Sequence, residues 1–123
     1  MNCPKCQSPM ESVSVEGTEV DRCTSCKGLW FDAVEHETAL AKANAIDIGD
    51  EKLGAEFNSV DRINCPACPN SPMIRMVDIR QRHIWFESCP TCHGRFYDAG
   101  EFRDLAEYSF ADVIKDIFAK ERQ

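Results

Sequence analysis

A chain of 123 residues has room for one ordinary domain or two very small ones. Its formal charge is −7 and its sequence pI about 4.9, which disfavours sequence-independent nucleic-acid binding, since that needs a clustered positive surface. No apolar run approaches the ~20 residues of a membrane span, and the start, MNCPKC, lacks the basic-then-apolar pattern of a secretory signal. The expected location is therefore the cytoplasm, where thiols stay reduced and eight cysteines point to metal rather than disulfides.

The first feature is a Cys3-Pro-Lys-Cys6 turn running to Pro9-Met10. The next stretch, ESVSVEGTEVDR, alternates polar and apolar residues around a Glu16-Gly17 turn signal and predicts a β-hairpin. A second turn, Cys23 to Cys26, leads through Gly28 to Trp30-Phe31 and a helix start at Asp32-Ala-Val-Glu35. That is the Asp-x-x-Glu variant of a capping box. Capping is preferred over metal ligation for these carboxylates because the cysteines are softer ligands already at hand.

Residues 41–62 read as a linker, with Gly49 as a helix stop and Leu53, Phe57 and Val60 spaced for a helical turn. The chain then repeats itself. NCPACPNSPM (64–73) matches NCPKCQSPM (2–10) with one insertion, and CPTCHGRFYDAGE (89–101) matches CTSCKGLWFDAVE (23–35) without gaps. The second hairpin is longer and lacks glycine. It carries Arg75, Arg80, Arg82 and His83 before Ile84-Trp85-Phe86. Its helix start reads Asp98-Ala-Gly-Glu101. Beyond it, Phe110, Val113, Ile114, Ile117 and Phe118 form an amphipathic helical stripe.

All eight cysteines fall in C-x-x-C pairs, with 16 residues between the two pairs of the first unit and 20 between those of the second. Two such turns brought together by a hairpin supply four sulfurs to one tetrahedral ion, so the spacing predicts two Zn²⁺ sites. The sequential scheme assigns Cys3, Cys6, Cys23 and Cys26 to one ion, and Cys65, Cys68, Cys89 and Cys92 to the other. A cross-braced scheme spanning the 38 residues from Cys26 to Cys65 would cost only ~0.8 kcal/mol more in loop closure, so the repeat, rather than entropy, selects the sequential one. Two loaded sites would add about −4 to the formal charge. Gly28 and Gly94 are expected to let the backbone turn so that N–H groups approach sulfur. Units of about 40 residues are near the size that needs such a staple.

Two rivals are weaker. Cys89-x-x-Cys92-His93 matches a haem-attachment pattern, but the first copy has Lys27 where His93 stands. A catalytic dithiol is normally one pair at a helix start, not four pairs at ribbon spacing.

The ordered string CPxC…PM…CxxCxGxWFDxxE resembles the transcription-factor-IIB-type zinc-ribbon family, in two tandem copies covering residues 2–40 and 64–106. The resemblance implies a small metal-bound α+β fold and the eight cysteines as ligands. The expected organisation is ribbon one with its helix (1–40), a partly helical linker (41–62), ribbon two with its helix (63–106), and a C-terminal amphipathic helix (107–123).

No nucleophile–base pair, phosphate loop or three-ligand zinc site is visible, so the expectation is a non-enzymatic zinc protein. The leading reading is a tandem zinc-ribbon adaptor for a protein partner, with RNA polymerase a candidate and Arg80, Arg82, His83 and Trp85 as its binding surface. A homodimer through the C-terminal stripe is a further expectation. Nucleic-acid binding in transcription and a redox-sensing zinc switch are the alternatives, the first opposed by the acidic charge.

Overall fold

The computed structural model describes residues 1–15, 17–32, 35–60 and 63–109. Each repeat builds three strands. In the first, β1 (Met10–Val15) and β2 (Thr18–Cys23) form the expected hairpin, with Val15 opposite Thr18 and Gly17 at φ 87° in the turn. The third strand, β3 (Leu29–Phe31), is the aromatic run after the second turn. The second repeat gives β4 (Ile74–Val77), β5 (Trp85–Ser88) and β6 (Arg95–Tyr97).

The repeats do not sit as separate beads. β3 and β6 pair with each other, Leu29 to Tyr97, Trp30 to Phe96 and Phe31 to Arg95. The result is one six-stranded antiparallel sheet of order β1-β2-β3-β6-β5-β4. Trp30 and Phe96 are equivalent positions of the repeat, so their pairing puts an approximate two-fold axis between them.

Side-chain alternation sends Leu29, Phe31 and Tyr97 to one face and Trp30 and Phe96 to the other. The first face carries helices. α1 (Glu35–Ala39), a 3₁₀ turn (Leu40–Lys42) and α2 (Ala43–Ile46) contribute Ala39, Ala43 and Ile46 to its core. Residues 101–109 form α4, which adds Phe102, Leu105 and Ala106. Phe31 lies 4.6 Å from Phe102 and 5.9 Å from Tyr97, ring centre to ring centre. The second face carries the cysteine turns, with Ile63, Met73 and, from α3 (Glu51–Asn58), Phe57. The central strands are thus covered on both faces, which is why LWF has no polar residue.

The segment between the repeats is part of this core. Ile46 and Asp47 are fully buried, and the Asp50 carboxylate caps α3 by accepting from the Lys52 N–H at 2.8 Å. α2 ends at Ile46, before Gly49, and Gly49 is needed for closeness instead: a Cβ there would lie 2.5 Å from that of Ala99.

The capping box read at Asp98 is not formed. The start of α4 is capped from 53 residues away, by the two oxygens of Asp47, which accept from the Gly100 and Arg103 N–H groups at 2.9 Å each. Arg103 in turn donates to the Asp47 carbonyl oxygen at 3.0 Å. Burial pushes the Asp47 carboxyl up despite these N–H donors. Asp47→Ala is expected to cost about 2–3 kcal/mol, since two N–H groups at the helix start lose their acceptors. A urea midpoint shifted down at unchanged slope is the readout; an unshifted midpoint would refute the cap. In the first repeat Asp32 accepts from the Trp30 ring N–H at 3.1 Å, and residues 33–34, like the stripe from Phe110 onward, lie outside the described residues.

Candidate metal centres

Each C-x-x-C turn follows one pattern, the exit of the third coming one residue later than in the others. Its first cysteine sulfur accepts N–H groups from inside the turn. Cys23 Sγ takes those of Ser25 and Cys26 at 3.4 Å each. Cys65 takes those of Ala67 and Cys68 at 3.4 and 3.3 Å, and Cys89 those of Thr91 and Cys92 at 3.4 and 3.5 Å. Such N–H donors favour the thiolate that a metal requires. The turn then leaves through a left-handed residue: Gln7 (φ 65°), Lys27 (63°), Asn70 (54°) and His93 (64°). His93 is therefore the residue that finishes the fourth turn, as Lys27 finishes the second.

The hairpins bring the turns together in sequential sets. Cys3, Cys6, Cys23 and Cys26 form one group and Cys65, Cys68, Cys89 and Cys92 the other, with all sulfurs in a group within 4.8 Å of one another. A tetrahedron with Zn–S bonds of about 2.3 Å has edges of about 3.8 Å. The sulfurs stand at 3.7 Å for Cys3–Cys26, 3.3 Å for Cys6–Cys23 and 3.8 Å for Cys65–Cys92. All eight are free thiols, so the donor set fits zinc in both places. Without metal the charge is shared unevenly. A hydrogen bond from Cys26 holds Cys3 at about 5, and the same bond pushes Cys26 well up. Burial raises Cys65 to about 12, whereas at Cys89 the Ser71 hydroxyl and the turn N–H groups outweigh burial and bring it to about 6. The first centre is the more enclosed: Cys3, Cys23 and Cys26 are buried, while Cys68 and Cys92 of the second are half-buried.

Gly28 and Gly94 serve the junction between repeats. Neither has positive φ, although the Gly28 N–H does act on the Cys26 sulfur. A Cβ on Gly28 would stand 2.2 Å from the Phe96 ring, and one on Gly94 would stand 2.3 Å from the Trp30 ring. Each repeat thus lends its glycine as the seat for the other's aromatic residue.

A second link was invisible in the sequence. Lys5, inside the first cysteine turn, reaches into the second repeat with its side chain wholly buried. Its ammonium is 2.6 Å from Asp98, 2.8 Å from Glu87 and 3.0 Å from the Phe57 carbonyl oxygen. Burial pushes both carboxyls up, and the Lys5 charge draws them back only in part. This is what Asp98 does instead of capping.

The expected binding surface is dispersed along its hairpin. Arg80 and Arg82 are exposed, His83 meets the Tyr108 ring edge-on at 4.3 Å, and Trp85 lies under the Arg75 guanidinium at 5.1 Å. Trp30, Phe31, Phe96 and Tyr97 are at most 1% exposed and belong to the core.

Two four-cysteine centres, each on a three-stranded antiparallel ribbon with helices behind it, define a tandem zinc-ribbon protein. Residues 2–42 match the family model of the transcription factor zinc-finger, the TFIIB-type zinc ribbon, and the second four-cysteine set repeats that arrangement. Searches of the curated proteins and of the solved structures return no match. Among the described residues no helix is long and apolar enough to cross a membrane.

Proposed function

We propose that this chain is a non-enzymatic zinc-ribbon adaptor that holds a protein partner through its second ribbon, in a transcription-related setting. The observation that carries it is an asymmetry between repeats. The second hairpin supplies Ile74, Met76, Ile79 and Trp85, four of the seven large apolar side chains that are exposed among the described residues, and the first hairpin supplies none. Register puts Ile74 and Met76 on one face of this hairpin and Trp85 on the other, and apolar side chains left exposed on both faces at one edge of the sheet support a contact surface there. Both zinc ions are structural in this reading, because four protein sulfurs leave no position for a reacting water.

Zinc-loaded chain used as bait in an extract of its native cell tests the reading, with RNA polymerase the first candidate to look for. A partner held by the natural chain and lost when Ile74, Met76 and Trp85 are made serine, at unchanged zinc content, is expected. Identical captures by the two chains would sink the proposal.

A further inference from the structure

The second hairpin differs from the first most at its tip. Two residues, 16 and 17, join β1 to β2, whereas seven, 78–84, join β4 to β5. The longer loop is tied down. The Asp78 carboxylate accepts from the Arg80 and Gln81 N–H groups at 3.0 Å each. The Asp78 N–H donates to the Ile84 carbonyl oxygen at 3.0 Å, and the Ile84 N–H to that of Gln81 at 2.9 Å. Ile84 is 1% exposed and Gln81 is 7% exposed, so two residues anchor the loop in the protein.

On that anchored loop Ile79 is 90% exposed, followed by exposed Arg80 and Arg82. An aliphatic side chain held out on a fixed loop has already lost much of the freedom that binding would remove. The charge around it is unlike the rest of the chain. Residues 74–85 hold three arginines and one aspartate, +2 in all, which leaves −9 for the remainder of a chain of −7.

Resting on the adaptor reading, we infer that the 78–84 loop is the recognition element, and that it inserts Ile79 into an apolar pocket of a partner protein rimmed by Asp and Glu carboxylates. Arg80 and Arg82 pair with that rim. A nucleic-acid strand fits less well: its bases call for an aromatic platform, and the tip offers an aliphatic side chain on a strongly acidic protein.

The test places a photo-crosslinking amino acid at position 79 of the zinc-loaded full chain in native-cell extract, beside Ile79→Ser and Arg80→Glu/Arg82→Glu chains. Near-UV circular dichroism and zinc content, unchanged in the variants, exclude misfolding. The expected outcome is one protein crosslinked at an apolar segment flanked by Asp and Glu, with its capture falling at least about ten-fold in each variant and weakening as salt rises. A partner captured by the natural chain and undiminished in both variants would overturn the loop while leaving the adaptor intact. A crosslink to nucleic acid or to a second copy of the chain would also overturn it. No protein captured by any chain would overturn the adaptor reading itself.

Discussion

Replacing Cys23 with serine is expected to disorder both ribbons, although Cys23 belongs to the first centre alone. Structural zinc contributes roughly 10–16 kcal/mol to a small ribbon, as much as or more than the whole stability of an ordinary domain, about 5–15 kcal/mol. Loss of the first ion therefore frees the first ribbon, and with it β3, Trp30 and Lys5. The second ribbon then loses the strand that pairs with β6, the ring that fills the space over Gly94, and the cation between Glu87 and Asp98. The near-UV circular dichroism of Trp30 and Trp85 should collapse together, and zinc per chain should fall below one. A Cys23→Ser chain that keeps one ion and the Trp85 signal would show that the ribbons fold independently.

The second large effect is at Lys5. Lys5→Met is expected to cost about 3–5 kcal/mol, because it leaves two buried carboxylates facing each other without the cation that bonds them both. The sign of the pH dependence follows from burial, which raises both carboxyls. A folded state that binds protons more tightly than the unfolded one loses stability as pH rises through the carboxylate range. The deficit should thus be greatest at neutral pH and shrink on mild acidification. Lys5→Met combined with Glu87→Gln and Asp98→Asn should recover most of the loss, since the uncompensated charges are gone. A triple variant no more stable than Lys5→Met would mean that packing of the lysine stem, not its charge, is what matters.

Much of the site was legible because its signals are local. The ligands, their sequential sharing and the first hairpin with its Gly17 turn all follow from spacing within one repeat. The junction was not legible, because its causes are long-range. LWF and RFY are three residues each, too short to show a period, and they read as aromatics beside a metal turn rather than as strands that pair with each other. Gly28 and Gly94 looked like turn glycines, whereas the space they leave is taken by rings from the other repeat. Asp98 has the local pattern of a cap, but Asp47 fills that role from across the chain and Lys5 claims the carboxylate. Lys5 itself sits in a turn, where a lysine ordinarily points to water.

Native mass spectrometry of the metal-free chain during stepwise zinc addition tests the central claim, that two four-cysteine ribbons form one cooperative unit. The fused sheet and the buried Lys5 link predict chains carrying no zinc or two, with the single-zinc species scarce at every step. A single-zinc species rising to the statistical level of independent sites, or saturation at any number other than two, would contradict it.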